Sequence, residues 1–188
     1  FKVKAKTPVK KEPEWDYELA KQLIRGKKIV FCLPGRGVSY VYLKNFVQLC
    51  FDIVQAGGGI QISQDYSSMV NFARCKCLGA NVLRGPNQLP WDGKLEYDWQ
   101  LWIDSDIVFN TEKFWQLILN STPKEAISYQ DVIQPLKDEK GQVIKDEKGN
   151  DRTTVVGQQL VVDKSKQRPI VSGWYCTEDG RTTSVAHW

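Results

Sequence analysis

Apolar and polar residues follow one rhythm up to about residue 120 and another after it. In the first part, short unbroken apolar runs alternate with segments of helical spacing. Ile29-Val30-Phe31-Cys32-Leu33 reads as a buried strand, cut by Pro34-Gly35-Arg36-Gly37. Leu43, Phe46, Val47, Cys50, Phe51 and Val54 then share one face of a helix that Gly57-Gly58-Gly59 ends. Ile60-Gln61-Ile62-Ser63 predicts a second short strand. A second helix from Ser67 to about Ala80 turns Met69, Val70, Phe72, Ala73 and Cys77 to the core and aligns Ser67, Asn71 and Arg74 on another face. A loop rich in Gly, Pro and Asp spans 84–98. The third apolar run, Trp99 to Ile103, stops on Asp104-Ser105-Asp106, and Asn110 caps a helix carrying Phe114, Trp115, Leu117 and Ile118. Strand and helix alternating three times predict an α/β fold: a mostly parallel, Rossmann-like sheet flanked by helices.

The later rhythm is that of β-structure. Asp138-Glu139-Lys140-Gly141 recurs eight residues on as Asp146-Glu147-Lys148-Gly149. Val132-Ile133 on one side, and Val155-Val156 with Leu160-Val161-Val162 on the other, make the region 121–168 a C-terminal β-hairpin excursion with polar turns. Pro169 to Cys176 reads as a further strand, followed by a turn at Thr177–Gly180 and a short tail. At the other end, 1–26 read as a flexible basic lead-in with a short helix from Trp15 to Arg25, leaving 27–188 as one domain.

Composition narrows the classes. A chain of 188 residues, 41% hydrophobic with seven each of Trp, Tyr and Phe, builds one core and not two. The net charge of +4 is concentrated in Lys2, Lys4, Lys6, Lys10 and Lys11; without them the body is close to neutral, which argues against nucleic acid as partner. No run reaches the roughly 18 apolar residues of a membrane span. Five cysteines, several within apolar patterns, fit a reducing compartment and a cytoplasmic location. Phe1 in place of Met reads as a processed or trimmed start.

Candidate chemistry centres on Asp104 and Asp106. A buried strand delivers them to its carboxyl end, where open α/β sheets bind ligands. Carboxylates are hard oxygen donors, suited to Mg²⁺ or Mn²⁺ that keeps some water and takes phosphate oxygens. A pair of acidic turn residues after a strand is the plainer alternative. Arg74 offers the planar fork that suits phosphate, and Pro34–Gly37 allows a nucleotide to approach the backbone closely, without the lysine of a P-loop.

With these residues together, the chain resembles the nucleotide-sugar-dependent glycosyltransferases of the GT-A fold, with the closest likeness to small viral and phage-type members. Four stretches carry the resemblance: Val30–Arg36; Ser63–Ser67 with Asn71–Arg74; Tyr97–Phe109 around Asp104-Ser105-Asp106; and Ile170–Gly180 around Ser172-Gly173-Trp174-Tyr175. It implies a GT-A-like domain that uses a UDP- or GDP-sugar as donor and a glycan or protein as acceptor, in the host cytoplasm if the source is viral. Pro34, Gly35, Arg36, Asp65, Asn71, Arg74, Asp104 and Ser105 would line the nucleotide-sugar site. Asp106 would bind the metal, joined by Asp104 and by His187, the chain's single histidine. Glu178 or Asp179 would serve as base toward the acceptor. The 121–168 hairpin departs from the family pattern and is a candidate for acceptor covering or for assembly. Two other readings compete: an interaction module that kept the fold without the chemistry, and a nucleotidyltransferase, which would release pyrophosphate.

Overall fold

The computed structural model describes residues 15–85 and 87–168 together with the strands 174–176 and 182–184. The basic lead-in up to residue 14 lies outside these residues, as do Pro169–Gly173, the turn at Thr177–Gly180 and the end of the tail. Helix α1 (Tyr17–Ile24) starts where the Asp16 carboxylate accepts the Leu19 N–H, and buries Ala20, Leu23 and Ile24. Strand β1 (Lys28–Pro34) follows, then α2 (Tyr40–Gln55), β2 (Gly59–Asp65), α3 (Val70–Cys77), β3 (Trp99–Trp102) and α4 (Thr111–Ser121). The loop between α3 and β3 holds two short 3-10 turns, Val82–Arg84 and Pro90–Gly93. Asn110 caps α4 as expected, its side chain accepting the Lys113 N–H at 3.0 Å.

The three strands form one parallel sheet in the order β2-β1-β3. Ile29 pairs with Ile60 and Trp99, and Phe31 with Ile62 and Leu101, so β1 is the central strand. Alternate residues of β1 serve two cores. Ile29 and Phe31 face Tyr42, Phe46, Leu49 and Ile53 of α2, with α1 and α4 closing that layer. Val30 and Cys32 face Cys77 of α3, with Leu78, Trp91, Leu95 and Trp102. The expected α/β architecture is therefore present as a three-stranded parallel sheet with helices on both faces.

Two details differ from the sequence expectation. The second helix is shorter, Val70 to Cys77, and of its expected core residues Ala73 and Cys77 are buried while Met69 and Val70 are exposed. The helix lies on a sheet only three strands wide, which covers one narrow stripe of it. On α2 the core takes Tyr42, Phe46, Leu49 and Ile53, while Leu43, Val47, Phe51 and Val54 face outward.

The hairpin is present: β4 (Ile127–Pro135) pairs antiparallel with β5 (Thr153–Val162), with an irregularity between Val132 and Ile133. Ile127, Leu160 and Val162 anchor its base on the main core. At its tip each repeat closes its own turn. Asp138 Oδ1 accepts the N–H groups of Lys140 and Gln142, and Asp146 Oδ1 those of Lys148 and Asn150. Three backbone bonds then join Leu136, Ile144 and Arg152, spaced eight along the chain, into a ring: Leu136 N–H to Arg152 O, Arg152 N–H to Ile144 O, and Ile144 N–H to Leu136 O. The eight-residue repeat is thus a structural period, two small turns added to the end of the stem. A separate antiparallel pair joins β6 (Trp174–Cys176) to β7 (Thr182–Ser184).

Candidate functional site

The carboxyl ends of the three parallel strands gather most of the residues singled out in the sequence. β1 ends at the buried Pro34, and the Gly35 N–H donates to the Asp65 carbonyl at the end of β2, 3.1 Å away. Gly35 has φ +156°, and a Cβ there would stand 2.6 Å from Ser105 Oγ and 2.7 Å from Ser105 Cβ. Only glycine lets the loop after β1 rest directly on Asp104-Ser105-Asp106. The loop after β3 is itself a turn, closed by the Ile107 N–H donating to the Asp104 carbonyl at 3.1 Å.

Beneath the turn, Ile103 is buried and its carbonyl accepts the Tyr42 hydroxyl at 3.4 Å. Burial, and secondly the charge of Asp104, push the Tyr42 hydroxyl pKa well above its ordinary value, so it stays protonated and keeps donating. Asn45 of α2 donates to the Phe109 carbonyl. Two side chains of α2 thus fix the two ends of the acidic segment.

From the other side, α3 presents Arg74. Its guanidinium is 3.3 Å from Asp104 Oδ2, with both side chains about half exposed, and stands 5.9 Å from the centre of the Trp102 ring. Asn71, one turn earlier, is exposed on the same helix. Arg36 stacks over the Tyr66 ring at 4.7 Å, and Lys76 reaches Asp65 at 3.5 Å. The rim therefore alternates signs: Arg36, Arg74 and Lys76 against Asp65, Asp104 and the exposed Asp106.

The structure brings Gly35, Ser105, Asp104 and Arg74 into contact and sets Asp65 beside Gly35. His187, Glu178 and Asp179 lie outside the described residues. Among the described residues no three His, Cys, Asp or Glu side chains are grouped to hold a metal. What is available is two carboxylates, Asp104 and Asp106, at one turn. That donor set suits a hard cation such as Mg²⁺ or Mn²⁺, which binds one or two carboxylates and completes its shell with water and phosphate oxygens.

Three residues at the rim escaped the sequence reading. Tyr66 follows Asp65 and supports Arg36; Trp102 supports Arg74. Trp102 also precedes Asp104 by two positions, so in both cases an aromatic close to a candidate carboxylate was the readable sign. Lys76, like Arg36 and Arg74, finds its partner on another element, and no aromatic or acidic neighbour in the sequence marks it. Cys32, Cys50, Cys75 and Cys77 are free thiols, and burial beside Cys77 pushes the Cys32 pKa up to about 12, which makes it an inert core residue. No helix among the described residues is long and apolar enough to cross a membrane.

Comparison of the chain with protein-family models, with curated proteins and with solved structures returns no match.

Proposed function

We propose that the chain transfers a sugar from a nucleoside-diphosphate sugar to an acceptor hydroxyl, with the donor bound across the carboxyl ends of β1, β2 and β3. The observation that carries this reading is the seating of Gly35 on Ser105, with Arg74 paired to Asp104 beside it. It supports a site where backbone, guanidinium and carboxylates converge on one anionic ligand.

Each residue has a defined task in this reading. Pro34, Gly35 and Arg36 border the base and ribose, and the absence of a Cβ at Gly35 lets their loop seat on Ser105, beside the two carboxylates. Asp65 holds that loop through its carbonyl. Arg74 exchanges Asp104 for the diphosphate oxygens, which its planar fork fits equally well. Asp104, released by that exchange, and Asp106 would hold a Mg²⁺ or Mn²⁺ ion. When bound, the ion offsets the charge that builds on the departing diphosphate. The acceptor is a glycan or a protein hydroxyl, and a carboxylate such as Glu178 or Asp179 takes its proton.

The test is calorimetric titration of UDP, GDP and their common sugar conjugates, with and without Mn²⁺, against wild type and Asp106→Ala. Binding of one nucleotide class that requires the metal, and at least ~100-fold weaker binding in the variant, is the expected result. No binding of any donor by a folded wild-type protein would overturn the reading in favour of an interaction module. Release of pyrophosphate during turnover, in place of a nucleoside diphosphate, would reassign the site to nucleotidyl transfer.

A further inference from the structure

Helix α2 carries more apolar surface than the core uses. Tyr42, Phe46, Leu49 and Ile53 form its buried face. Roughly 130° further around the helix, at 100° per residue, runs a second apolar stripe: Tyr40, Leu43, Val47, Phe51 and Val54. These are 91%, 45%, 42%, 61% and 59% exposed. The flank of α2 toward α4 is already occupied, with Asn45 bonded to the Phe109 carbonyl and Asp52 beside Lys21 and Trp115 in a cleft. The stripe is therefore on the outer flank of α2 away from α4, on the side of β2, whose outer edge has no neighbouring strand among the described residues. There Ile62, on the same sheet face as Phe31, is also half exposed.

We propose that this stripe joins two copies of the chain into a two-fold dimer through antiparallel packing of their α2 helices. Two observations select a second copy as the occupant. The first is symmetry about Val47. Leu43 and Phe51 lie four residues to either side of it, and Tyr40 and Val54 seven. An antiparallel partner puts Val47 against Val47, Leu43 against Phe51 and Tyr40 against Val54, so every side chain of the stripe meets an apolar one. A two-fold interface requires such self-complementarity. The second is area. With Ile62, the stripe exposes roughly 700 Å², close to the ~800 Å² that each partner gives to a standard interface. No charged side chain interrupts it; Lys44 borders it.

Sedimentation equilibrium of the whole chain across the micromolar range tests the proposal. Wild type is expected to be dimeric. Val47→Asp sets two carboxylates against each other on the axis and is expected to weaken association by ~100-fold or more, with circular dichroism unchanged. Should that variant fail to fold, Val47→Cys decides. Under oxidation it should form a disulfide-linked dimer that neither wild type nor Val41→Cys, placed off the stripe, gives. A wild type that sediments as a monomer throughout overturns the proposal. So does a dimer that persists in Val47→Asp, and its loss in Ile133→Asp would assign the contact to the hairpin.

Discussion

Strands β1 and β5 are both rich in apolar residues and both paired along their length, β1 on two sides and β5 on one, yet they live in different surroundings. Residues 29–32 of β1 are entirely buried, while β5 is exposed from Thr153 to Gln159. The difference is position. β1 has a strand on each side and helices on each face, so its alternate side chains all meet a partner. The hairpin has a single pair of strands and an anchored base, and it keeps Tyr129, Ile133, Val155 and Val156 in water. Backbone pairing and apolar sequence do not make a core; a second layer does.

The comparison is sharpest at single side chains. Phe31 is fully buried and meets the Phe46 ring edge-on at 5.2 Å. Phe31→Ala is expected to cost about 3–5 kcal/mol in urea unfolding, whereas Ile133→Ala in the hairpin should cost less than about 0.5 kcal/mol. Similar losses at the two positions would show that the hairpin packs against something in solution.

Glycine makes the same contrast with one atom. Gly35→Ala drives a methyl into Ser105 at a backbone angle that alanine avoids, an expected loss of about 1–3 kcal/mol together with weaker donor binding. Ser105→Gly in the same chain should recover most of the steric part. Gly157→Ala in β5 meets nothing within 4 Å and should lie within about 0.5 kcal/mol of wild type, on either side. A harmless Gly35→Ala would mean that the two loops part in solution.

The smallest effect concerns acid. Burial raises the Asp98 pKa, but the Lys28 N–H at 2.9 Å and Lys27 Nζ at 3.2 Å outweigh it and hold the carboxyl below its usual range. A lowered folded pKa means stability that is present above the unfolded value and lost as pH falls through the folded one. Asp98→Asn should therefore cost about 0.5 kcal/mol at neutral pH, allowing for its exposure, and the two unfolding curves should merge in acid. Asp146 is also held low, first by the Asn150 N–H, but its partners lie within its own turn. Asp146→Asn should alter amide exchange at the tip and leave the global midpoint in place.

Much of the fold was legible because it rests on local chemistry. The Asn110 cap and the Asp-x-x-Gly turns satisfy their own backbone within a few residues, and the apolar run of β1 announces a buried strand by residue type alone. The candidate site was legible only in part. Asp104, Asp106 and Arg74 stood out by residue type and placement. That Arg74 reaches Asp104 across 30 residues, or that Lys76 reaches Asp65, is set by how α3 lies on the sheet.

What the amino-acid sequence by itself determined was the kind and order of the elements, since helical spacing, strand runs and caps depend on neighbours along the chain. What only the tertiary structure decided was which surfaces those elements spend. It placed β1 between β2 and β3, turned one apolar face of α2 inward and left the other out, and brought Gly35 onto Ser105. The reason is geometric. A helix with two apolar stripes satisfies either orientation by sequence alone, and a close approach between residues 70 positions apart exists only once the strands between them have taken their order.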